Sequence, residues 1–328
     1  MHVLVLGGSG TISTHLVRHL VAMGRTVTVL NRGKSQPPPP AGVEQLIADR
    51  HDAAVLSAAL KGRSFDATVD MLCFNPDQAR MLTEALPRHG HLVFCSTVCA
   101  LGTRWTSFPV SEDATPAPEP TFGYGVEKAA AEAWFTAYAQ RSGGALTIVR
   151  PSTTFDQRMG VLRQICWDGA AWLARVRAGK PIVVCDSGLG IHQFMHADDG
   201  GRGFALIAGN AKTHGRIYHL VGPSVTWAEQ HRTAMRVVGR EVPLVGVPSA
   251  ILDRTTIPGD GVRKDIFGFH GHFAETRLAA DTGFRPAITL HEAIARTVAT
   301  LDAEGRITRA ADESWEDALI DRWGSAKI

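Results

Sequence analysis

The chain predicts an α/β fold, a doubly wound parallel sheet covered by helices on both faces. Two observations carry this. Short apolar runs alternate with helically spaced segments from residue 3 to residue 149, and the first run breaks on a cluster of glycines that opens the first helix. The composition permits such a fold: 328 residues, 45% hydrophobic and 20% charged. A net charge of +2 suggests no nucleic-acid or membrane surface. No apolar run reaches the ~18 residues of a spanning helix.

Val3–Leu6 reads as a buried parallel strand. Thr11–Met23 has its apolar residues Ile12, Leu16 and Leu20 at helical spacing and stops at Gly24. Thr26–Leu30 is a second strand, and Pro37–Pro40 a loop, since proline cannot sit inside a sheet. Val43–Ala48 is a third strand, Ala53–Lys61 a helix, Phe65–Val69 a fourth strand and Pro76–Leu86 a helix. His91–Ser96 is a fifth strand. A Pro- and Ser-rich loop, Thr103–Pro120, precedes a long helix, Tyr124–Arg141, and a sixth strand, Ala145–Val149.

Beyond residue 150 the rhythm loosens. Helices are expected at Trp172–Ala178, Phe204–Ala208, Trp227–Val238 and Leu290–Leu301, and strands at Pro181–Cys185 and Arg216–Val221. Residues 249–275 read as loop. Trp315, Leu319 and Trp323 share one helical face, packed on the body, behind a Ser314 cap.

Gly7-Gly8-Ser9-Gly10-Thr11-Ile12-Ser13 lies where a dinucleotide loop belongs, after a strand and before a helix. Glycines let the backbone approach a pyrophosphate, and the helix start supplies N–H donors and positive potential. The second strand ends in Asn31-Arg32-Gly33-Lys34. A carboxylate there would receive the ribose hydroxyls of NAD. Asn31 is uncharged, and Arg32 and Lys34 suit a 2′-phosphate, so NADP is the expected cofactor, with NAD the alternative. Asp49-Arg50 ends the third strand, where an acid would meet the adenine.

Tyr124 and Lys128 are one helical turn apart, which sets a phenol and an ammonium on one face. A phenol titrates near ~10, and nearby positive charge favours the phenolate. Tyr124 would then take a proton from a carbinol while hydride leaves the same carbon for a nicotinamide.

With these motifs placed, the chain resembles the extended short-chain dehydrogenase/reductase family, in its NAD(P)-dependent epimerase/dehydratase branch. Gly7, Gly10 and Ser13 follow the family's Gly-x-x-Gly-x-x-Gly, the last imperfectly. Thr97 falls on the catalytic Ser/Thr, and Tyr124 and Lys128 on the catalytic pair. Arg150-Pro151, Phe194-Met195-His196-Ala197-Asp198-Asp199 and Gly283-Phe284-Arg285-Pro286 match later family stretches. The resemblance implies a Rossmann-type dinucleotide-binding region over 1–150. A mainly substrate-binding α/β region over 151–328 would be interleaved with it. Thr97, Tyr124 and Lys128 would be catalytic. Gly7, Gly10, Thr11, Ile12, Asn31, Arg32, Asp49, Arg50, Cys73, Tyr124, Lys128 and Pro151 would hold the cofactor. Cys99, Thr153 and His192 are candidate substrate contacts.

The departures restrict the chemistry. Where family 4,6-dehydratases carry Thr-Asp-Glu, this chain has Thr97-Val98-Cys99, so simple dehydration is not expected. Where sugar-nucleotide enzymes often place an arginine for the diphosphate, it has His192, with His192 itself, Arg163, Arg158 or Arg285 as the candidates to substitute for it. The fourth strand runs into Asp70-Met71-Leu72-Cys73-Phe74, so Cys73 and Phe74 would thicken the cofactor wall.

The first expectation is therefore an epimerase that oxidises and re-reduces a carbinol of a sugar or sugar nucleotide. The alternative is an NADP-dependent reductase or dehydrogenase of a sugar-like or other secondary alcohol, and a third a binding protein, for example for RNA. No metal site, nucleic acid or membrane is expected. Met1-His2 leaves no room for a secretory signal before the first strand, and five unpaired cysteines suit reduced thiols, so the expected location is cytoplasmic. A homodimer through Trp134, Phe135 and Tyr138 is expected equally with a core role for those rings.

Overall fold

A computed structural model describes residues 1–34, 38–86 and 88–324; Pro37, the first residue of the expected proline loop, lies outside them. In chain order the elements are β1 (His2–Leu6), α1 (Thr11–Ala22), β2 (Thr26–Asn31), β3 (Glu44–Ile47), α2 (Ala53–Leu60), β4 (Ala67–Asp70), α3 (Pro76–Ala85), β5 (His91–Cys95), α4 (Gly123–Ser142), β6 (Leu146–Pro151) and β7 (Thr153–Phe155). They continue with α5 (Ala171–Arg177), β8 (Ile182–Cys185), β9 (Ile191–His196), α6 (Ala197–Ile207), β10 (Arg216–Leu220), β11 (Ser224–Thr226), α7 (Trp227–Val238) and β12 (Leu244–Val247). The last are α8 (Ser249–Leu252), α9 (Thr276–Thr282), α10 (Leu290–Ala303) and α11 (Ser314–Trp323).

Two compact units result. The first comprises Met1–Thr154, Ala197–Val221 and Phe273–Arg285; the second comprises Phe155–His196, Gly222–His272 and Pro286–Ile328.

The first unit is built on a seven-stranded sheet in the order β10-β6-β5-β4-β1-β2-β3, parallel throughout. This is the expected doubly wound fold. Its inner strands β1, β4, β5 and β6 are buried along almost their whole length because helices cover both faces, whereas the edge strand β3 is largely exposed. The order reverses between β1 and β4, so the crevice beyond their carboxyl ends is the natural ligand position. Phe94 and Phe135 pack 4.9 Å apart within a core that includes Leu4, Leu6, Leu56, Leu82 and Ile148. Phe135 is wholly buried there, so it cannot serve as a subunit contact. Trp134 and Tyr138 stack on each other at 5.6 Å beside it.

Helix α6 begins at Ala197, seven residues before the expected Phe204. Its Gly200-Gly201 pair argues against a helix on propensity alone. The packing explains the glycine: a Cβ on Gly201 would lie 2.4 Å from the Leu16 backbone nitrogen of α1, so only glycine lets the two helices meet.

The second unit holds an antiparallel β9–β11 pair, a parallel β8–β12 pair and helices α5, α7, α8, α10 and α11. Its core includes Trp172, Leu173, Phe194, Trp227, Phe267 and Ile294. β12 was not expected because Pro243 and Pro248 bracket its four residues. The stretch read as loop contains α8 and a π-helical turn, Arg263–Phe267. Leu319 of α11 is buried, and Trp315 and Trp323 pack with it on Ile165, Val183 and Val245, as expected. Ser314 is not the cap of that helix but its first residue, and its N–H donates to Asp312 at 2.8 Å.

Candidate active site

All the first-unit elements end their strands toward one crevice. At β1 the chain turns through Gly7 (φ +118°) and Gly8 (φ +87°), where side chains are strained. A Cβ on Gly8 would sit 2.8 Å from the Val29 methyl carbon, so the loop lies tight on β2. Gly10 caps α1, and the Ser13 hydroxyl accepts its N–H at 2.9 Å. Ser13 thus closes the loop in the place of the third glycine. Thr11 and Ile12 occupy the first turn of α1, whose N–H groups have no intrahelical acceptor.

Gly7, Ser9 and Gly10 line a cleft of about 320 Å³, which continues past Asn31, Arg32 and Lys34 to Asp49 and His51. Asn31 is committed to structure. Its amide donates to Gly7 O at 3.0 Å, and its carbonyl accepts from Gly33 N and Gln45 Nε2, both at 2.8 Å. It therefore braces the end of β2 against the glycine loop, and Arg32 beside it is exposed. Arg50 lines the cleft, but its charge is turned inward. Nη1 donates to both Asp70 oxygens at 2.7 and 2.9 Å, and Nη2 to Gln78 O at 2.8 Å. Pro151 is buried at the end of β6.

The wall after β4 differs from the expectation in one respect. Leu72 and Phe74 face the cleft, whereas the Cys73 side chain is fully buried and its thiol is pushed up to about 12, mainly by burial. What Cys73 offers is its carbonyl oxygen.

Lys128 receives that carbonyl. On α4 its ammonium donates to Cys73 O at 2.7 Å and Cys95 O at 2.8 Å. The residue is 2% exposed, and the rings of Phe74, Phe94 and Tyr124 surround the nitrogen at 4.7, 5.2 and 5.9 Å from their centres. A buried ammonium is tolerable only with such partners. One turn on, Glu132 is also buried. It accepts from Arg150 at 2.9 and 2.6 Å and from the Ser96 hydroxyl at 2.5 Å. These bonds tie α4 to the ends of β5 and β6 and fix where Tyr124 and Lys128 stand.

Thr97, the residue after Ser96, is buried, its hydroxyl accepts the Cys99 N–H at 3.2 Å, and it acts to lower the Tyr124 phenol. The structure thus brings Thr97, Tyr124 and Lys128 together. Burial raises the Tyr124 phenol above its ordinary value, the thiols of Cys99 and Cys95 add to this, and the Thr97 hydrogen bond opposes it. The expectation that Lys128 lowers this phenol is corrected: its ammonium is held by two carbonyls, and although the Tyr124 side chain is 42% exposed, partial desolvation raises the phenol. Cys99 is half-buried in the turn after Thr97.

The remaining candidates are dispersed. Thr153 is half-buried in β7. His192, in β9 of the second unit, stacks on Trp227 at 5.3 Å and meets Phe194 and Phe267 edge to face or tilted, each also at 5.3 Å. Burial pushes its imidazole down to about 4, so it is neutral at pH 7. Sequence reasoning missed Glu132 and Ser96. Glu132 follows Lys128 by four residues, and that spacing was the available signal.

The chain matches the NAD dependent epimerase/dehydratase family over residues 3–220. It is 32% identical to 2′-dehydrokanamycin reductase from Streptomyces kanamyceticus over 76% of this chain and 70% of that protein. It is 24% identical to the chloroplast stem-loop binding protein of 41 kDa b from Arabidopsis thaliana over 98% of this chain and 84% of that one. The solved dTDP-glucose 4,6-dehydratase of Streptomyces venezuelae, with NAD bound, superposes with a TM-score of 0.72 over the whole of both chains at 20% identity.

Proposed function

The chain belongs to the NAD dependent epimerase/dehydratase family and is an enzyme of the extended short-chain dehydrogenase/reductase type, and from that premise we propose that it is an NADPH-dependent reductase of a ketone on a sugar-like ring that carries no nucleotide. The observation that carries this reading is His192. Where a diphosphate would need a cation, this chain has a buried imidazole that is neutral at pH 7. A buried neutral ring is a poor partner for two phosphate charges. The similarity to a reductase of 2′-dehydrokanamycin supports the same choice.

The glycine loop fits a dinucleotide, because a Cβ on Gly10 would meet only the Ser13 hydroxyl, at 3.3 Å, leaving the helix start approachable. Backbone groups of Gly7, Gly10, Thr11 and Ile12 would hold the pyrophosphate, and Arg32 and Lys34 the 2′-phosphate. When bound, the nicotinamide supplies the hydride. The chain supplies the proton and its control. Thr97 orients the substrate oxygen, and Tyr124 donates its hydroxyl proton to that oxygen as the C–H bond forms. A phenol raised by burial is protonated at neutral pH, which is the state a reductase needs at the start of each turnover. Lys128, fixed on two carbonyls, presents a positive charge toward the phenolate left behind. Residues 151–328 would serve mainly substrate recognition, and Thr153, Cys99 and His192 are candidate contacts.

An epimerase is the second reading, favoured by the family's own description. The two differ in stoichiometry. Supplied with keto forms of aminocyclitols and of simple pyranosides, a reductase converts one NADPH per alcohol formed, seen as loss of absorbance of the reduced nicotinamide. With the corresponding alcohols supplied instead, inversion of a carbinol with no net change in reduced cofactor would overturn the reductase proposal. Binding of RNA without turnover on any ketone would favour the role named for the chloroplast relative.

A further inference from the structure

Phe74 is a large apolar ring left 45% exposed in a segment that is otherwise locked. Its own N–H donates to Gln78 Oε1 at 2.7 Å. On one side the Cys73 thiol donates to Asn75 O at 3.4 Å, and on the other Asn75 caps α3 by accepting the Gln78 N–H at 3.0 Å. These bonds fix the backbone direction at Phe74 and with it the place of the ring.

The position of that ring is specific. One face lies toward the Lys128 ammonium, 4.7 Å from the ring centre, and the ring is 6.4 Å from that of Tyr124. It also lines the dinucleotide cleft. Of the three rings around Lys128, Phe94 is fully buried, and of the two exposed rings, Phe74 and Tyr124, Phe74 is the one that lines the cleft.

Chemistry then identifies what passes Phe74. Hydride and proton are delivered to the two atoms of one carbonyl, so the hydride donor must lie within a few ångströms of the Tyr124 hydroxyl. The planar end of the dinucleotide therefore comes to this end of the cleft, beside an exposed aromatic ring. We propose that Phe74 is the positioning residue that seats the nicotinamide ring and keeps water from the Lys128 ammonium. The inference rests on the dinucleotide reading of the cleft and is independent of which ketone or carbinol is the substrate.

The test is a binding comparison that needs no turnover. Affinity for the better bound of NADPH and NADH is measured by fluorescence, and affinity for the matching fragment without nicotinamide, 2′-phospho-ADP-ribose or ADP-ribose, by calorimetry. An aromatic contact of ordinary strength predicts that Phe74→Ala weakens the whole dinucleotide roughly 3- to 10-fold and the fragment less than about 2-fold. Phe74→Tyr, which keeps the ring, restores the parental ratio. Equal weakening of dinucleotide and fragment would assign Phe74 a merely structural role and overturn the proposal. So would an unchanged affinity in Phe74→Ala, or a parent that binds neither dinucleotide. Failure of every ketone to react, with these ratios as predicted, would count against the reductase reading alone.

Discussion

Removal of the Glu132 carboxylate tests how the active site is held. Arg150 is 1% exposed, and its guanidinium spends two donors on Glu132, at 2.9 and 2.6 Å. Glu132→Ala leaves that charge buried beside a single carbonyl, Glu112 O at 3.3 Å, and also frees the Ser96 hydroxyl. Breaking such a pair costs about 3–5 kcal/mol. For 328 residues melting together, the unfolding entropy is about 0.7 kcal/mol per degree. The midpoint should therefore fall by about 4–7 °C in differential scanning calorimetry at pH 7. The double variant Glu132→Met/Arg150→Met removes both charges and should lose less than the sum of the two single variants, because the cost lies in the stranded partner. A single-variant shift within 1 °C of the parent, or strict additivity in the double variant, would refute the reasoning.

Further outcomes follow from the same geometry. Tyr124→Phe should lower turnover by roughly 10²–10⁴ while NADPH affinity, measured by fluorescence, stays near that of the parent. Arg32→Ala should raise the KM for NADPH by about tenfold and leave that for NADH nearly unchanged, the signature of a 2′-phosphate contact worth ~1.4 kcal/mol. Burial lowers His91, His219 and His231 to about 3 and His192 to about 4. Each folded value lies below the unfolded value near ~6.5, so each stabilises above that pH and costs ~1.4 kcal/mol per unit as pH falls below it. Melting temperature should drop steeply from pH 6.5 to 4.5, and His192→Phe should shallow the slope. Cys73 and Cys95 are buried and pushed up to about 12 and about 11, so iodoacetamide at pH 7.5 should leave both unlabelled in the native protein, as peptide mass spectrometry would read.

The sheet was legible because most of its first six strands are short, largely apolar runs bounded by glycine, proline or a helix cap, a local signal, the half-polar β3 being the exception. The clustering of Thr97, Tyr124 and Lys128 was legible because two of them lie on one helix and the third follows a strand. What could not be read was set by tertiary contact. Gly200-Gly201 look like a break until α1 is seen against them. Arg50 reads as a cleft cation until Asp70 is found behind it. The phenol of Tyr124 reads as lowered by its lysine until the ammonium is seen held on two carbonyls and the phenol partly desolvated by neighbours distant in sequence. Asn31 reads as a ribose contact, and its brace on Gly7 required the fold.

The most direct test uses NADPH carrying deuterium at the transferable position, with a keto substrate and excess enzyme. Reduction at a carbonyl predicts one deuterium on the carbinol carbon of the alcohol and one oxidised cofactor released per label. Ketone left unreacted with the reduced cofactor undiminished, while the same enzyme with oxidised cofactor inverts the corresponding carbinol, would contradict the assignment as a reductase.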